Sequence, residues 1–245
     1  MEWQGTGVII SVRKHGETST IVDVLTEDYG RHAGIVRGGA SRKLAPILQP
    51  GTQVDAEWRA RLEEHLGSYK LEPVQSRATI LSDRLALAAM GSVCALISFA
   101  FPERMSFPRL YVATVNLLDQ MSAGQAWLSD YALWEHAVLE ELGYGLDLDS
   151  CAATGDMQDL IYVSPKSGRA VSRKAGAQWA DRMLPLPRFL RAQTATKEAQ
   201  EVLDALKTTG YFLERRLAPA LGNRPLPEAR GRFVTVLTKT VNKGD

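Results

Sequence analysis

The sequence is poor in the residues on which disulfide frameworks and catalytic centres usually depend. Only two cysteines and four histidines occur among its 245 residues. Two thiols without paired spacing exclude a disulfide framework and predict a protein of the reducing cytoplasm. The histidines are His15, His32, His65 and His136. Each stands alone, so we expect surface or core residues rather than catalysts.

Signatures of phosphate and metal chemistry are missing as well. No glycine-rich loop ends in Gly-Lys-Ser or Gly-Lys-Thr, which excludes a P-loop ATPase. Cys151 begins a turn like that of a zinc knuckle, but structural zinc usually needs four Cys or His ligands. Asp147 and Asp149 could hold Mg²⁺, although no third carboxylate stands beside them in the sequence. We therefore predict no metal, no cofactor and no enzymatic activity, with a metal-dependent nuclease or phosphodiesterase as the alternative.

No hydrophobic run reaches membrane length. The uncharged segment 85–101 is slightly shorter than the ~20 residues that span a bilayer. It is rich in Ala, Ser and Gly rather than in Leu and Ile. The segment predicts a helix buried on all sides at the centre of a bundle, and no membrane partner.

The net charge is only +1, but individual segments are nearly free of acidic residues or have few basic ones. Residues 83–149 contain three basic against nine acidic residues, and residues 165–191 contain seven basic residues against one acidic residue. Residues 34–51 include Arg37, Arg42 and Lys43 and no acidic residue. Because the two signs are segregated, the chain could hold a polyanion on one side; a merely solvated surface is the alternative.

The amino-terminal part contains a series of short strand-like segments. They combine strand-forming residues or polar–apolar alternation and cover residues 7–12, 20–26, 32–37, 52–60 and 68–74. Five short strands in succession predict a small barrel, because closure of the sheet removes exposed edges.

Helical periodicity replaces the strand pattern near Ser82, which together with Asp83 can cap a helix. The predicted helices cover 85–101, 107–121, 126–142, 196–217 and 227–241; a hairpin is predicted within 160–171 and a proline-stiffened connector at 183–187. We therefore predict an α+β protein. An N-terminal five-stranded OB barrel (residues 1–80) precedes an α-helical C-terminal domain (residues 81–245), which has a small β-hairpin, zinc-knuckle-like insertion at about 147–180.

The barrel carries the candidate nucleic-acid-binding residues. They are cations at strand ends and in the glycine-rich loop, namely Arg13, Lys14, Arg31, Arg37, Arg42 and Lys43. Glycine in that loop allows the backbone to approach a phosphate chain, and the cations supply the charge that it seeks. Tyr29, Trp58 and Tyr69 could stack on bases, with a place in the barrel core as the alternative, which we favour for Trp58. An RNA-binding barrel module of translation is a second alternative function.

The chain resembles the RecO family of bacterial recombinational DNA repair proteins along essentially its full length. The resemblance lies in the order and spacing of short stretches: His15–Ser19, Leu25–Glu27, Tyr29–Gly30, Val36–Gly38, Gln49–Gly51, Glu141–Tyr144, Leu146–Leu148, Cys151–Ala152, Thr154–Gly155, Tyr162–Gly168 and Leu184–Pro187. The region from Cys151 to Gly168 is most similar to the alphaproteobacterial branch.

That resemblance implies an OB barrel, a helical domain and a function without covalent chemistry. It implies a protein that binds single- and double-stranded DNA, anneals complementary strands, and acts with RecR and, in many bacteria, RecF. Members help to load RecA onto DNA coated by single-strand-binding protein, whose acidic C-terminal tail they recognise, so we expect a nucleoid-associated place in the cytoplasm. Some members hold zinc with four cysteines in the insertion, of which this chain keeps only Cys151.

An acidic tail that ends in an apolar residue fits an apolar groove with a cation at its rim. Arg104 and Arg109 flank Phe107 and Pro108 in the acidic helical part of the chain. We nominate both arginines as partner-binding residues; ordinary charges at helix ends are the alternative.

Overall fold

In the computed structural model of the protein, residues 1–62, 64–192, 196 and 198–244 are described. The chain divides into two compact units. The first comprises Met1–Gln125 with Pro227–Phe233, and the second comprises Ala126–Leu226 with Val234–Asp245.

Five strands form a barrel in the first unit: β1 (Glu2–His15), β2 (Ser19–Thr26), β3 (Gly30–Val36), β4 (Gln53–Arg59) and β5 (Ser68–Gln75). The barrel closes in the order β1-β2-β3-β5-β4. Strand β1 pairs antiparallel with β4 along its first half and with β2 along its second half. Strands β3 and β5 are parallel and meet at the single pair Ile35–Ser68. This five-stranded barrel is an OB fold.

Alternate side chains of each strand fill the barrel, as the two-residue period of a strand requires. In β4, Val54, Ala56 and Trp58 belong to the core, whereas Asp55 and Arg59 are exposed. Because side chains alternate between the two faces of a strand, the alternation of polar and apolar residues in β4 predicts which face is buried and which is exposed.

A short segment after the first helix covers part of the free edge of β3. The backbone N–H of Arg104 donates to the carbonyl oxygen of Arg31 at 2.8 Å, and Glu103 forms a parallel bridge with Arg31. Gly30 has a φ of +62°, and a β-carbon there would lie 1.8 Å from the carbonyl oxygen of Met105. Only glycine fits at position 30, and the covered edge is closed to pairing with another chain.

Two helices complete the main part of the first unit: α1 (Arg84–Ala100) and α2 (Pro108–Ser122). Asp83 caps α1, because its carboxylate accepts hydrogen bonds from the backbone N–H groups of Leu85 and Ala86. Helix α1 is buried along most of its length, as the uncharged sequence predicts. Within the residues described, no helix has both the length and the apolar character needed to cross a membrane.

A buried arginine joins the barrel to α2. The side chain of Arg77 is 1% exposed. Its guanidinium donates to the carbonyl oxygen of Gly51 at 2.8 Å, to Oε1 of Gln53 at 2.9 Å and to Oδ1 of Asp119 at 2.8 Å. One side chain therefore holds the segment before β4, the start of β4 and the second helix together.

The second unit consists of helices around a small sheet. Its helices are α3 (Leu128–Glu141), α4 (Arg173–Gly176), α5 (Arg188–Ala192), α6 (Ala199–Phe212) and α7 (Ala218–Ala220), while α8 (Glu228–Gly244) contributes residues to both units. The sheet contains β6 (Leu160–Val163), β7 (Ala170–Ser172) and β8 (Leu184–Pro185) in the order β7-β6-β8. Glu135 of α3 is fully buried and accepts hydrogen bonds from the hydroxyls of Tyr131 at 3.0 Å and Thr209 at 2.6 Å. This carboxylate links α3 to α6.

The α+β fold class is confirmed, with its amino-terminal barrel, its helices and its small hairpin. Two details differ from the sequence pattern. The predicted connector 183–187 supplies the edge strand β8, and residues 173–182 form α4 and a 3₁₀ turn. Position 197 of the predicted helix 196–217 lies outside the described residues. A domain boundary at residue 80 stays a prediction.

Candidate nucleic-acid interface

The strand register brings several predicted cations to one end of the barrel. Lys14 pairs with Thr20 across β1 and β2, and Thr20 pairs with Val36 across β2 and β3. Arg37 directly follows Val36, so Lys14 and Arg37 leave the barrel at the same level. The backbone N–H of Ala40 donates to the carbonyl oxygen of Thr18 at 3.1 Å, which fixes the long loop 37–52 against the β1–β2 hairpin.

The loop 37–52 is shaped so that Arg42 and Lys43 face outward. Gly39 packs against the start of β2, where a β-carbon would lie 2.1 Å from Oγ1 of Thr20. Leu48, at the other end of the loop, is buried in the barrel core. Between these two anchors the chain forms helical turns, and Arg42 and Lys43 lie exposed on the outer turn.

Together, Arg13, Lys14, Arg37, Arg42 and Lys43 make up what we call the basic end. Among the described residues, Arg37, Arg42 and Lys43 make no ion pair or side-chain hydrogen bond. Arg13 has a loose contact, with 3.8 Å between its Nη2 and Oδ2 of Asp23. The hairpin also brings one acidic residue, Glu17, to this end. The end therefore carries an excess of unpaired positive charge, which attracts a polyanion.

Arg31, a sixth predicted DNA-binding residue, lies elsewhere and is engaged. Its side chain is only 14% exposed, and its Nη1 lies 3.3 Å from Oε1 of Glu103. Its Nε donates to the carbonyl oxygen of Phe101 at 3.2 Å. Because these contacts hold the guanidinium against the segment after α1, we leave Arg31 out of the basic end.

The aromatic residues considered for base stacking mostly belong to the barrel core. Trp58 is buried, in agreement with the core position favoured for it, and the burial of Tyr69 corrects the expectation that this ring could stack on bases. Tyr29 is partly exposed, but its ring stacks on Trp3 with centroids 4.4 Å apart. Burial lowers the pKa of His32, which packs edge-on against Trp58, to about 4. This imidazole is therefore neutral at physiological pH and forms part of the core.

The two arginines nominated for partner binding differ in their surroundings. Arg104 has a φ of +63°, donates to the carbonyl oxygen of His65 at 2.8 Å, and lies 5.9 Å from the ring centroid of Trp58. Arg109 is exposed in the first turn of α2. Arg104 thus secures the segment after α1 to the barrel, whereas Arg109 is exposed.

The turn that begins at Cys151 is held by hydrogen bonds. The Sγ atom of Cys151 accepts from the backbone N–H of Ser172 at 3.3 Å, and its own N–H donates to the carbonyl oxygen of Asp156 at 2.7 Å. Burial raises the pKa of this thiol, but hydrogen bonds from Thr154, Ser172 and Ala153 outweigh burial and lower it to about 6. Asp147 is paired with Arg169, with 2.9 Å between Oδ2 and Nε. Within the described ranges, no three His, Cys, Asp or Glu side chains are placed to hold a metal ion.

Two residues of interest were missed by the sequence pattern. Arg77 is a lone cation in a polar stretch, and nothing in its neighbourhood along the chain signals burial. Trp179 is an exposed tryptophan in the basic segment 165–191. A lone aromatic residue among cations was the available signal for Trp179.

By fold, the chain is an OB-barrel protein with a helical carboxyl-terminal part and a cationic surface at one end of the barrel. Its residues 1–77 match the family model described as Recombination protein O N terminal, and residues 81–225 match Recombination protein O C terminal. The chain belongs to the RecO family of recombinational DNA repair proteins.

Three relatives, each named DNA repair protein RecO, illustrate the similarity. The protein of Ruegeria sp. strain TM1040 is 57% identical over 98% of this chain and 100% of its own length. Those of Dinoroseobacter shibae and Jannaschia sp. are 54% and 50% identical, over 98% and 100% of this chain and 99% of each relative. These organisms agree with the alphaproteobacterial resemblance of the sequence.

Proposed function

We propose that the protein binds single- and double-stranded DNA through the basic end of its barrel and anneals complementary strands. The observation that carries the proposal is the set of exposed cations Arg37, Arg42 and Lys43, which have no ion-pair partner among the described residues. The outer face of β2 offers no comparable surface, because the buried acid Asp23 lies on it. The position of this acid supports DNA contact at the end of the barrel rather than on the face of β2.

Annealing by this surface needs no bond to be made or broken. Two strands repel each other through their phosphates, and cations fixed on the protein lower that repulsion when the strands approach. The product duplex then forms because it is more stable than the separated strands. In the cell, this activity serves the loading of RecA onto DNA coated by single-strand-binding protein, together with RecR and, in many bacteria, RecF.

A strand-annealing assay tests the proposal directly. Two complementary strands, bare or coated with single-strand-binding protein, are mixed with the protein without nucleotide, and duplex formation is followed over a range of salt concentrations. We expect acceleration at low salt that declines as salt rises, because each phosphate contact contributes about 0.7–0.9 to the slope of log K against log salt. Non-complementary strands are the control. The proposal would be contradicted if the protein left the annealing rate at low salt equal to the spontaneous rate. It would also be contradicted if the acceleration did not depend on salt concentration.

We further propose that Arg109 contacts the acidic C-terminal tail of single-strand-binding protein. Arg109 and Val112 share a face of α2, since residues three apart are neighbours on a helix. Val112 and nearby Met105 are exposed apolar side chains, so the cation lies beside apolar surface. An acidic tail with an apolar last residue fits that combination.

Replacing Arg109 with alanine should weaken binding of a labelled tail peptide about tenfold, because hydrogen bonds to charged groups contribute about 1.5–3 kcal/mol. Fluorescence anisotropy of the peptide measures the change. Arg84→Ala, which removes an exposed cation at the start of α1, is the matched control and should leave the affinity unchanged. Equal affinity of the Arg109 variant and the wild type would remove Arg109 from the proposed site.

A further inference from the structure

A second cationic surface lies in the insertion of the second unit. Residues 165–191 contain seven basic residues and a single acidic one, Asp181. Within the described structure, Arg169 and Arg173 pair with Asp147 and Asp159 of the neighbouring segment, and Arg182 has a loose contact of 3.9 Å with Asp181. Members of the set that are exposed and without an ion pair among the described residues are Lys166, Lys174 and Arg188. The segment therefore keeps a positive field after its ion pairs are counted.

Trp179 is an exposed residue of this basic segment. It lies on the 3₁₀ turn Ala177–Arg182, which buries none of its residues. The indole is 46% exposed, and the guanidinium carbon of Arg182 lies 5.7 Å from its ring centroid. A large apolar ring with about half of its surface exposed, and with an arginine beside it, is typical of a surface that receives a ligand.

The base of the turn is fixed in place. Ser172 caps α4 by accepting a hydrogen bond from the backbone N–H of Ala175. Gly176 lies so close to Tyr162 of the sheet that a β-carbon would meet the ring at 2.6 Å. The backbone that carries Trp179 is thus attached to the sheet at both of these points, and the ring is presented from an ordered support.

A groove of mixed charge borders the same segment. It has a volume of about 590 Å³, and its lining includes two arginines, two aspartates and apolar side chains, namely Arg188, Arg191, Asp149, Asp159, Leu160 and Ile161. Arg173, at the start of α4, contacts Asp159 at 3.1 Å. The helix before Trp179 therefore begins at the edge of a groove that has two arginines in its wall.

We propose that Trp179 and Arg182 form a stacking platform for a nucleobase of single-stranded DNA, with Lys174 and Arg188 contacting its phosphates. Every base presents a π-face, so an exposed tryptophan among cations holds a single strand without regard to sequence. The positive charge of the segment favours a polyanion over an apolar protein partner as the occupant. This inference rests on the proposed function, because it adds a second contact for the DNA that the basic end binds.

Binding of a thymidine oligonucleotide by the full chain tests the platform. Trp179→Ala should weaken binding about tenfold, as expected for the loss of one stacked base, whereas Trp179→Phe should keep most of the affinity. Leu87→Ala, which trims an exposed apolar side chain of α1, is the control and should bind as the wild type does. Trp58, Trp127 and Trp134 are buried, and the partly exposed Trp3 is stacked on Tyr29. Quenching of the exposed indole should therefore follow DNA binding and be largely lost in Trp179→Phe.

An abasic oligonucleotide of the same length separates stacking from charge. It keeps the phosphates and lacks the bases, so Trp179→Ala should bind it as tightly as the wild type does. An equal loss on both oligonucleotides would overturn the platform, as would unchanged affinity for the thymidine strand. If the wild type itself does not bind DNA, the proposed function fails as well. If the wild type binds and the Trp179 variants bind equally well, only the platform fails.

Discussion

Alanine in place of Arg37, Arg42 and Lys43 together should weaken binding of single-stranded DNA about 500-fold at about 50 mM salt and about 30-fold at about 200 mM salt. These three side chains are exposed and form no ion pair within the described structure, so their charge is available to phosphates. Fluorescence anisotropy of a labelled oligonucleotide over a range of salt concentrations measures the effect.

The magnitude follows from counterion release. Each phosphate neutralised on a single strand contributes about 0.7 to the slope of log affinity against log salt, so three lost contacts lower the slope by about 2. Phosphate contacts contribute little to the affinity near ~1 M salt. Extrapolating the change in slope from that concentration gives the expected losses of affinity at lower salt. Because phosphates carry no sequence information, the loss should be the same for strands of different sequence.

A variant with the same change in net charge separates location from bulk charge. Replacing Arg59, Arg61 and Lys70 with alanine removes three exposed cations of β4, β5 and the loop between them. Arg59 and Lys70 already pair with Glu2, Glu57 and Glu72, so their charge is offset locally. This control should lose much less affinity. Equal losses in the two variants, or unchanged affinity of the first at low salt, would contradict a DNA site at the basic end.

The barrel could be predicted because its strands and turns are determined by residues close together in the sequence. Alternation along 52–60 identifies β4 and its buried face, and glycine-rich turns mark the ends of β2 and β3. The cap of α1 at Asp83 was equally readable, since capping depends on residues within one turn. These features need no knowledge of the rest of the chain.

Whether each cation is free or held in an ion pair could not be predicted, because the partners are distant in sequence. Arg31 and Arg37 both lie at ends of β3 and look alike in the sequence. The segment after α1 brings Glu103 and the carbonyl oxygen of Phe101 to Arg31, while nothing described pairs with Arg37. Burial of Tyr69 is decided in the same way, by closure of the barrel around it.

Strand β8 could not be predicted from the local sequence, for a different reason. Leu184 and Pro185 lie in a proline-containing stretch that favours a connector. They nevertheless pair with Val163 and Tyr162 at the edge of the small sheet. Proline is tolerated on an edge strand, where its missing N–H faces no neighbour, so only the tertiary arrangement identifies the strand.

Replacing Arg77 with methionine should lower the free energy of unfolding of the protein by about 3 kcal/mol, because it removes one side of a buried charged network. Methionine is apolar and long enough to fill much of the space, but it donates no hydrogen bond. The carbonyl oxygen of Gly51 and the amide oxygen of Gln53 then lose their donor. The carboxylate of Asp119 is partly exposed and regains water, so the buried carbonyl accounts for most of the loss.

Thermal unfolding followed by circular dichroism measures the change, and a loss of this size lowers Tm by about 6–12 °C in a chain of this length. Two milder variants test the cause. Arg77→Lys keeps the charge but cannot reach three acceptors at once, so it should fall between methionine and the wild type. Asp119→Asn keeps an acceptor oxygen and should cost less than either. An unchanged Tm for Arg77→Met would contradict the assignment of Arg77 as the joint between the barrel and α2.

The same variants show whether Arg77, which stabilises the fold, is also needed to order the loop that contacts DNA. Gly51 closes the loop that carries Arg42 and Lys43, and its carbonyl oxygen is held by Arg77 while its N–H donates to the carbonyl oxygen of Ile9 at 2.8 Å. Loss of Arg77 leaves the second of these bonds and the burial of Leu48 in place, so the loop should keep its course. We therefore expect folded Arg77→Met to lose less than tenfold in DNA affinity, far less than the triple alanine variant. A loss as large as that of the triple variant would mean that Arg77 itself orders the basic end.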